Sequence, residues 1–465
     1  MNEEIHVQVK DNSPSIEHIL RPISYTSWLL GVGVAHPREC PKAITIIIRI
    51  ICMTVCSINM IYDAIDFYCS FEVFDMYNCM RDLKRATAYV SAYYYIYHGI
   101  RHYNKWPELM DRLKELDQKI KKEISMNDKC IKIVETIAVF ATIFYMIIPV
   151  VYYIIEYGIS DKTSFLFFLT FHDVILVQSL FNSFVFDVVV YVLYCRFQTI
   201  NKLIGQLDKL SDALAFKIRR IRELHTDIYN LVSKVNDIYS LHLLICSTNS
   251  FTMAMASLFQ FYYIVDVNKT NDMWSLLQIF RSIVFITQFY LICWICTLTC
   301  VESNRTGSII YEIILKCTPV NLEKHEANNL SSPEVQPTLE DVDGEQSFNR
   351  SSSHNQFYVD MRNFLRKNLD RECVIKEVND FSIQLQQQRV AFTACNFFEI
   401  NNSLFRGFVG LFITYIIIVS QLDEQSVGDF RKQFDKDFCE LRKNITEINK
   451  EIRMFLKENQ TDLQN

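Results

Sequence analysis

Glycine and proline are scarce, at 10 and 9 of 465 residues. A chain so poor in both is neither collagen-like nor a low-complexity linker, and with half its residues apolar it can bury enough surface to order itself. No charge dominates. Lys and Arg number 47 against 53 Asp and Glu, a net of −6, which leaves no global basic footprint for nucleic acid. Enzyme signatures are missing as well: there is no glycine-rich phosphate loop, no G-x-S-x-G elbow and no H-E-x-x-H helix. The opening stretch MNEEIHVQVKDNSP is polar and acidic and does not read as a cleavable leader. The 15 cysteines have no regular spacing, and most lie in apolar runs where cysteine behaves as a small hydrophobe. One C-x-x-C, Cys293 to Cys296, stands within such a run without a second pair; helix packing is the default reading there, ahead of zinc or redox use. No cofactor is indicated.

What the sequence does have is long apolar runs. A mean hydropathy of +0.08 averages two unlike populations, membrane segments and polar connections. Seven segments are long and apolar enough to span a bilayer, or nearly so: 43–66, 86–104, 131–156, 165–195, 238–265, 274–300 and 403–422. The second is the weakest, being Tyr-rich and carrying His98, Arg101 and His102. The pattern predicts an all-α membrane protein of seven transmembrane helices.

Orientation follows from the cations between the spans. Segments 1–42, 105–130, 196–237 and 301–402 hold 29 Lys/Arg, whereas 67–85, 157–164 and 266–273 hold 5. The positive-inside rule therefore places the N-terminus in the cytosol and, with seven spans, the C-terminus outside. A G-protein-coupled receptor has the opposite orientation, and the chain lacks Asp-Arg-Tyr after the third span and Asn-Pro-x-x-Tyr in the seventh. The expected organisation is a cytosolic segment 1–42, six spans over 43–300, a cytosolic segment 301–402, a seventh span 403–422 and an extracellular tail 423–465. Residues 328–356, rich in Ser, Asn, Glu and Pro, read as a disordered insertion. Leu109, Leu113, Leu116 and Ile120 fall at helical spacing, as do Leu203, Leu207, Leu210 and Leu214 over 202–234. Both stretches read as cytosolic extensions of membrane helices that pack on one another as an anchor region. No internal repeat is visible, which disfavours a solute transporter.

Polar residues inside spans are expensive and hence informative. Counted inward from the outer face, Tyr93, Tyr94, Tyr152, Tyr153, His172, Asp173, Gln260, Gln278 and Arg281 fall at similar depth. Arg281 cannot face lipid cheaply, and Asp173 is its first candidate partner, with Glu156 second. Two readings stay open: a wet, aromatic-lined outer cavity for a small polar ligand, or a self-satisfied interhelical network.

The last hundred residues carry a resemblance. Phe381-Ser-x-Gln384-Leu385 is followed by Phe392-Thr393-Ala394-Cys395-Asn396-Phe397-Phe398, and the seventh span closes on Thr414-Tyr415, five further residues, then Gln421-Leu422. This arrangement resembles the seventh-helix region of insect gustatory receptors, relatives of the insect odorant receptors. Leu422 stands where gustatory receptors usually carry Phe, as in the odorant-receptor co-receptor. The resemblance implies a ligand-gated cation channel in the plasma membrane of sensory neurons, a homo- or heterotetramer with other chemoreceptor subunits. It would be opened by an extracellular tastant, a sugar such as fructose or a bitter compound, without a G protein. An odorant-receptor-type subunit remains the near alternative. On the seventh helix Tyr415, Ile418, Gln421 and Leu422 share one face; in a tetramer Ile418 and Leu422 could form apolar rings that stop ions by dewetting.

The tail adds Phe438, Leu441, Ile445, Ile448, Ile452 and Phe455 at a/d heptad spacing. An amphipathic helix lying on the membrane or its own subunit competes there with a bundle above the pore. Sequons begin at Asn268, Asn444 and Asn459 and are usable only if those segments are outside.

Overall fold

Where water is excluded a backbone must satisfy its own N–H and C=O groups, so apolar runs of this length fold as helices. The computed structural model describes residues 15–70, 76–157, 163–207, 214–267, 272–317 and 372–422. In chain order it contains short helices α1 (Ile16–Ile19) and α2 (Arg21–Leu29), then α3 (Lys42–Ser70) and α4 (Met76–Arg101). After them come α5 (Lys105–Lys121), α6 (Lys129–Tyr157), α7 (Thr163–Gly205), α8 (Leu214–Val267) and α9 (Asp272–Cys317). A helix over 372–387, here α10, leads to strands β1 (Thr393–Ala394) and β2 (Phe398–Glu399) and to α11 (Asn402–Leu422). The insertion 328–356, the tail 423–465 and the sequons at Asn268, Asn444 and Asn459 lie outside the described residues.

Five of these helices, α3 and α6 to α9, are long and apolar enough to cross a membrane, and α11 carries a shorter apolar stretch. The second span needs correcting. Its helix starts at Met76, ten residues before Ala86, and ends at Arg101 rather than Asn104. The reason is burial inside the protein: Ala88, Tyr89, Ala92, Tyr95 and Ile96 pack into the bundle, and the cations of the first turns find protein partners instead of water. Arg85 lies 3.0 Å from Asp63 on α3, whose carboxylate also accepts from the Tyr89 hydroxyl at 2.6 Å.

The 43, 54 and 46 residues of α7, α8 and α9 run about 65 to 80 Å, more than twice the ~30 Å hydrocarbon core. Their extensions form a second layer with α5, whose stripe of Leu109, Leu113, Leu116 and Ile120 is buried against α8. The stripe read over 202–234 is broken: α7 ends at Gly205 and α8 begins at Leu214, so Leu203 and Leu214 belong to two different helices, and Leu210 lies outside the described residues. Arg196 of α7, 2% exposed at the side chain, clamps this layer. Its Nε lies 2.7 Å from Asp117 Oδ1 on α5 and its Nη1 2.7 Å from Asp128 Oδ1 before α6.

The connection after α2 is unusual in being buried throughout residues 31–37. A loop can be buried only if its carbonyls are met. Leu30 accepts from Gln178 Nε2 at 2.9 Å, Val32 from Ser27 Oγ at 2.6 Å, and Gly33 from Arg49 Nη2 at 2.8 Å. Arg49 also donates to the Gly99 carbonyl of α4. Gly33 has φ +67°, and a Cβ there would run into Asn182, so both backbone and space require glycine.

The motif residues 392–398 make a tight hairpin. Thr393 pairs with Glu399 and Ala394 with Phe398, and Cys395 and Asn396 take positive φ at the turn. Asn236 of α8 holds it, its Oδ1 accepting from the Thr393 N–H at 2.8 Å. The start of α11 is then pinned: the Asn402 N–H donates to Thr297 of α9 at 2.9 Å and the Leu404 N–H to Asn401 at 3.0 Å. Phe405 and Phe408 pack on Phe289 and Tyr290 of α9 and Phe251 of α8. Towards its end α11 is less covered, and Leu411, Ile413 and Ile418 are 62%, 50% and 48% exposed.

Candidate functional site

At the end of the bundle remote from α5, α4, α6, α7, α8 and α9 bring polar side chains together in the interior. Asp173 of α7 and Arg281 of α9 meet at 2.5 Å, each 3% exposed. Arg281 also donates to the Tyr153 hydroxyl of α6 at 3.0 Å. Gln278 lies three residues earlier on α9, on the same helix face as Arg281. Its Oε1 accepts from Lys84 Nζ at 3.0 Å, and Gln260 Oε1 of α8 accepts from the same ammonium at 3.1 Å. The site thus joins two linked sets, a guanidinium–carboxylate–phenol group and an ammonium bridging two amides.

Of the residues singled out from sequence, Tyr153, Asp173, Arg281, Gln260 and Gln278 converge. Tyr152 stacks edge-on against Tyr153 at 5.4 Å. His172 precedes Asp173 on α7, its Nδ1 buried without a hydrogen-bond partner among the described residues. Tyr93 and Tyr94 go elsewhere. The Tyr93 hydroxyl shares a 2.6 Å hydrogen bond with Ser57 of α3, and the Tyr94 ring leans on Tyr95 and His98. The side chain of Glu156 lies outside the described residues, as do those of Gln421 and Leu422. Tyr415 is part-buried with its hydroxyl buried, whereas Ile418, three residues on, is 48% exposed.

Lys84 escaped the sequence reading because it sits just before the apolar window that began at Ala86. Its signal was the cluster Arg81-Asp-Leu-Lys84-Arg85, too many cations for a short loop beside a span. Lys84 is 4% exposed. Lys84→Met is therefore expected to destabilise the protein by about 1–3 kcal/mol for each buried amide oxygen that loses its donor. Thermal melting of the purified variant checks this, and an unchanged melting temperature would show that water reaches both glutamines.

A family model described as 7tm Chemosensory receptor matches residues 20–326 and 352–426, most of the chain. The chain belongs to that chemosensory receptor family. It is a multi-pass, all-helical membrane protein, and its family is one of receptors and not of enzymes. The fold is similar to that of the insect olfactory receptor OR5 from Machilis hrabei, with a TM-score of 0.56 at 11% identity over 88% of this chain and 99% of that one. The structure of the same receptor in complex with eugenol gives a TM-score of 0.50 at 11% identity, over 88% and 98% of the two chains. At that identity the likeness is one of fold. No curated protein matches the chain.

Proposed function

We propose that this receptor is a gustatory channel subunit: a small extracellular tastant, a sugar or a bitter compound, opens a cation pore lined by α11. The observation that carries the reading is the way α11 is held. Its first turns are fixed by the hairpin, Thr297 and the phenylalanine cluster, while its second half leaves apolar residues uncovered by its own chain. Lipid or another subunit can cover such a surface; copies of the same helix around an axis would do so, and four copies would enclose a pore. In that assembly Ile418 and Leu422 form the constriction, with Tyr415 and Gln421 beside it.

The tastant acts at the polar set around Arg281, Asp173, Tyr153, Lys84, Gln260 and Gln278, with Tyr152 and His172 at its margin. Its affinity for the open arrangement over the closed one drives the change. α9 links the two regions, carrying Arg281 and Gln278 towards one end and Thr297, the partner of α11, towards the other. OR5 is an olfactory receptor and binds eugenol; an odorant in place of a tastant is the nearest alternative. Expression of the chain alone in a naive cell, with currents recorded against sugars, bitter compounds and volatile phenols, separates the two. Saturable flux without unitary currents would reject a channel of either kind.

The gate has its own test. Ile418→Ala is expected to raise ligand-free current several-fold, because a smaller ring wets more easily. A variant silent at rest with a normal ligand response would move the gate elsewhere. The orientation with the α5 layer in the cytosol rests on the distribution of Lys and Arg. The tail after Leu422 carries eight Lys/Arg, which oppose an outer placement, together with ten Asp/Glu. A glycosidase-sensitive mass that disappears in Asn444→Gln is the expected result; a tail reached by antibody only after permeabilisation would reverse the topology.

A further inference from the structure

α6, α7 and α9 do not close on one another along their full length. Between them lies a cavity of about 540 Å³, within the size range of small-molecule sites. Its cause is local: α6 presents Ala138 and Ala141 where a larger side chain would fill the gap. The rims carry Ile137, Phe144 and Ile283, which are 60%, 64% and 56% exposed. On membrane helices such residues face acyl chains, so the cavity is flanked by the lipid phase.

Hydroxyls of Thr142, Tyr145, Tyr191 and Thr287 also line this mostly apolar wall, but its one carboxylate is Asp187. Gln288 of α9, 2% exposed, donates its Nε2 to Asp187 Oδ2 of α7 at 2.8 Å. The other oxygens, Asp187 Oδ1 and Gln288 Oε1, are buried with no hydrogen-bond partner among the described residues. Both residues line the cavity, and no Lys, Arg or His does. The contrast with Asp173 is plain: that carboxylate has Arg281 at 2.5 Å, whereas Asp187 has no ion-pair partner among the described residues. An ionisable group inside a membrane bundle is costly unless something completes it. A donor-rich cation with an apolar body would complete both oxygens and fill the volume.

We propose that this cavity is a membrane-entered site for a protonated lipophilic amine, its ammonium held by Asp187 and Gln288 and its body in the apolar channel between α6 and α9. Two acceptors on one carboxylate–amide pair match the several N–H donors of a primary or secondary ammonium. An uncharged alcohol of the same shape would fill the volume but offers a single donor to the two open acceptors, where a primary ammonium offers three. The cavity adjoins the polar set around Arg281 at Tyr145, which lines it, but the ammonium is held lower down at Asp187 and Gln288, and the proposal does not depend on what opens the pore.

The test uses the full-length protein in phosphatidylcholine nanodiscs, with no current measured. The probes are a benzophenone-bearing dodecylamine and the corresponding dodecanol, at equal mole fraction in the lipid. After irradiation, cross-links are mapped by peptide mass. The amine is expected to label α6, α7 and α9 about tenfold more than the alcohol, as a charged hydrogen bond warrants. Asp187→Asn should abolish that preference, and Ala141→Phe, which fills the cavity and leaves the carboxylate in place, should block both probes. If Asp187→Asn does not fold, Ala141→Phe decides: lost labelling supports the site, retained labelling overturns it. Equal labelling of the wild type by amine and alcohol, or cross-links away from the three helices, would also overturn it. Adding lipid at fixed total probe should dilute the label; labelling indifferent to lipid would reject entry from the bilayer.

Discussion

Asp173→Ala is expected to remove most of the receptor from the cell surface, with a loss of folding stability of about 3–5 kcal/mol. The carboxylate is 3% exposed and 2.5 Å from the Arg281 guanidinium. Alanine would leave that guanidinium with the Tyr153 hydroxyl but without a counter-charge, in a place where water cannot substitute for one. Asp173→Asn keeps an acceptor and the shape and should lose less. Replacing both partners, as Asp173→Leu with Arg281→Met, should recover part of the loss, since removing a whole buried pair costs less than removing half of one. Surface biotinylation together with melting of detergent-purified protein distinguishes these outcomes. Near-wild-type surface levels for the alanine variant would mean that the site is hydrated and the pair unimportant to folding.

That pair was legible in the sequence because charges inside apolar runs are few and must find each other. Depth along a helix can be counted from residue numbers, and depth was enough to match Arg281 with Asp173. Azimuth cannot be counted until the helices are packed. Tyr93 and Tyr94 lie at the right depth, yet one turns towards Ser57 on α3 and the other towards His98. The Tyr-rich second span misled for a related reason. A hydropathy window prices Arg85 and Lys84 as if they faced lipid or water, whereas Asp63 and two glutamines meet them inside the protein.

The buried connection 31–37 was not visible at all. Its partners Arg49, Gly99, Gln178 and Asn182 come from α3, α4 and α7, and nothing in the local stretch Gly31-Val-Gly33-Val-Ala names them. The motifs that carried the family resemblance fared differently. Phe381 is fully buried beside His225, Gln384 donates to Thr226 at 2.7 Å, and residues 392–398 form the hairpin that starts α11. In this chain those residues do packing work at the junction of α8, α10 and α11, which fixes where the last helix begins and so which of its residues leave the bundle.

The α5 layer hangs on Arg196 in the same way that the remote end hangs on Arg281. Its Nε and Nη2 lie 2.7 and 3.0 Å from the two Asp117 oxygens, and its Nη1 reaches Asp128 at 2.7 Å. One cation therefore ties α5 and the start of α6 to α7, against two carboxylates. Arg196→Ala is expected to cost about 3–5 kcal/mol, and Arg196→Lys, which keeps the charge without the planar fork, somewhat less. The pH dependence separates this from a simple packing defect. Burial already pushes the Asp117 carboxyl above its ordinary value, with Arg196 opposing the shift. Without Arg196 the shift grows. A carboxyl whose folded value lies above its unfolded one binds its proton more tightly when folded, so stability rises as pH falls through that range. The deficit of Arg196→Ala should accordingly narrow from pH 8 to pH 5, because protonating Asp117 discharges the group left without its cation. A cavity-creating variant such as Leu113→Ala in the same layer should show the same deficit at both pH values. Parallel melting curves for Arg196→Ala at the two pH values would show that Asp117 finds another cation or water, and would remove Arg196 as the clamp of this layer.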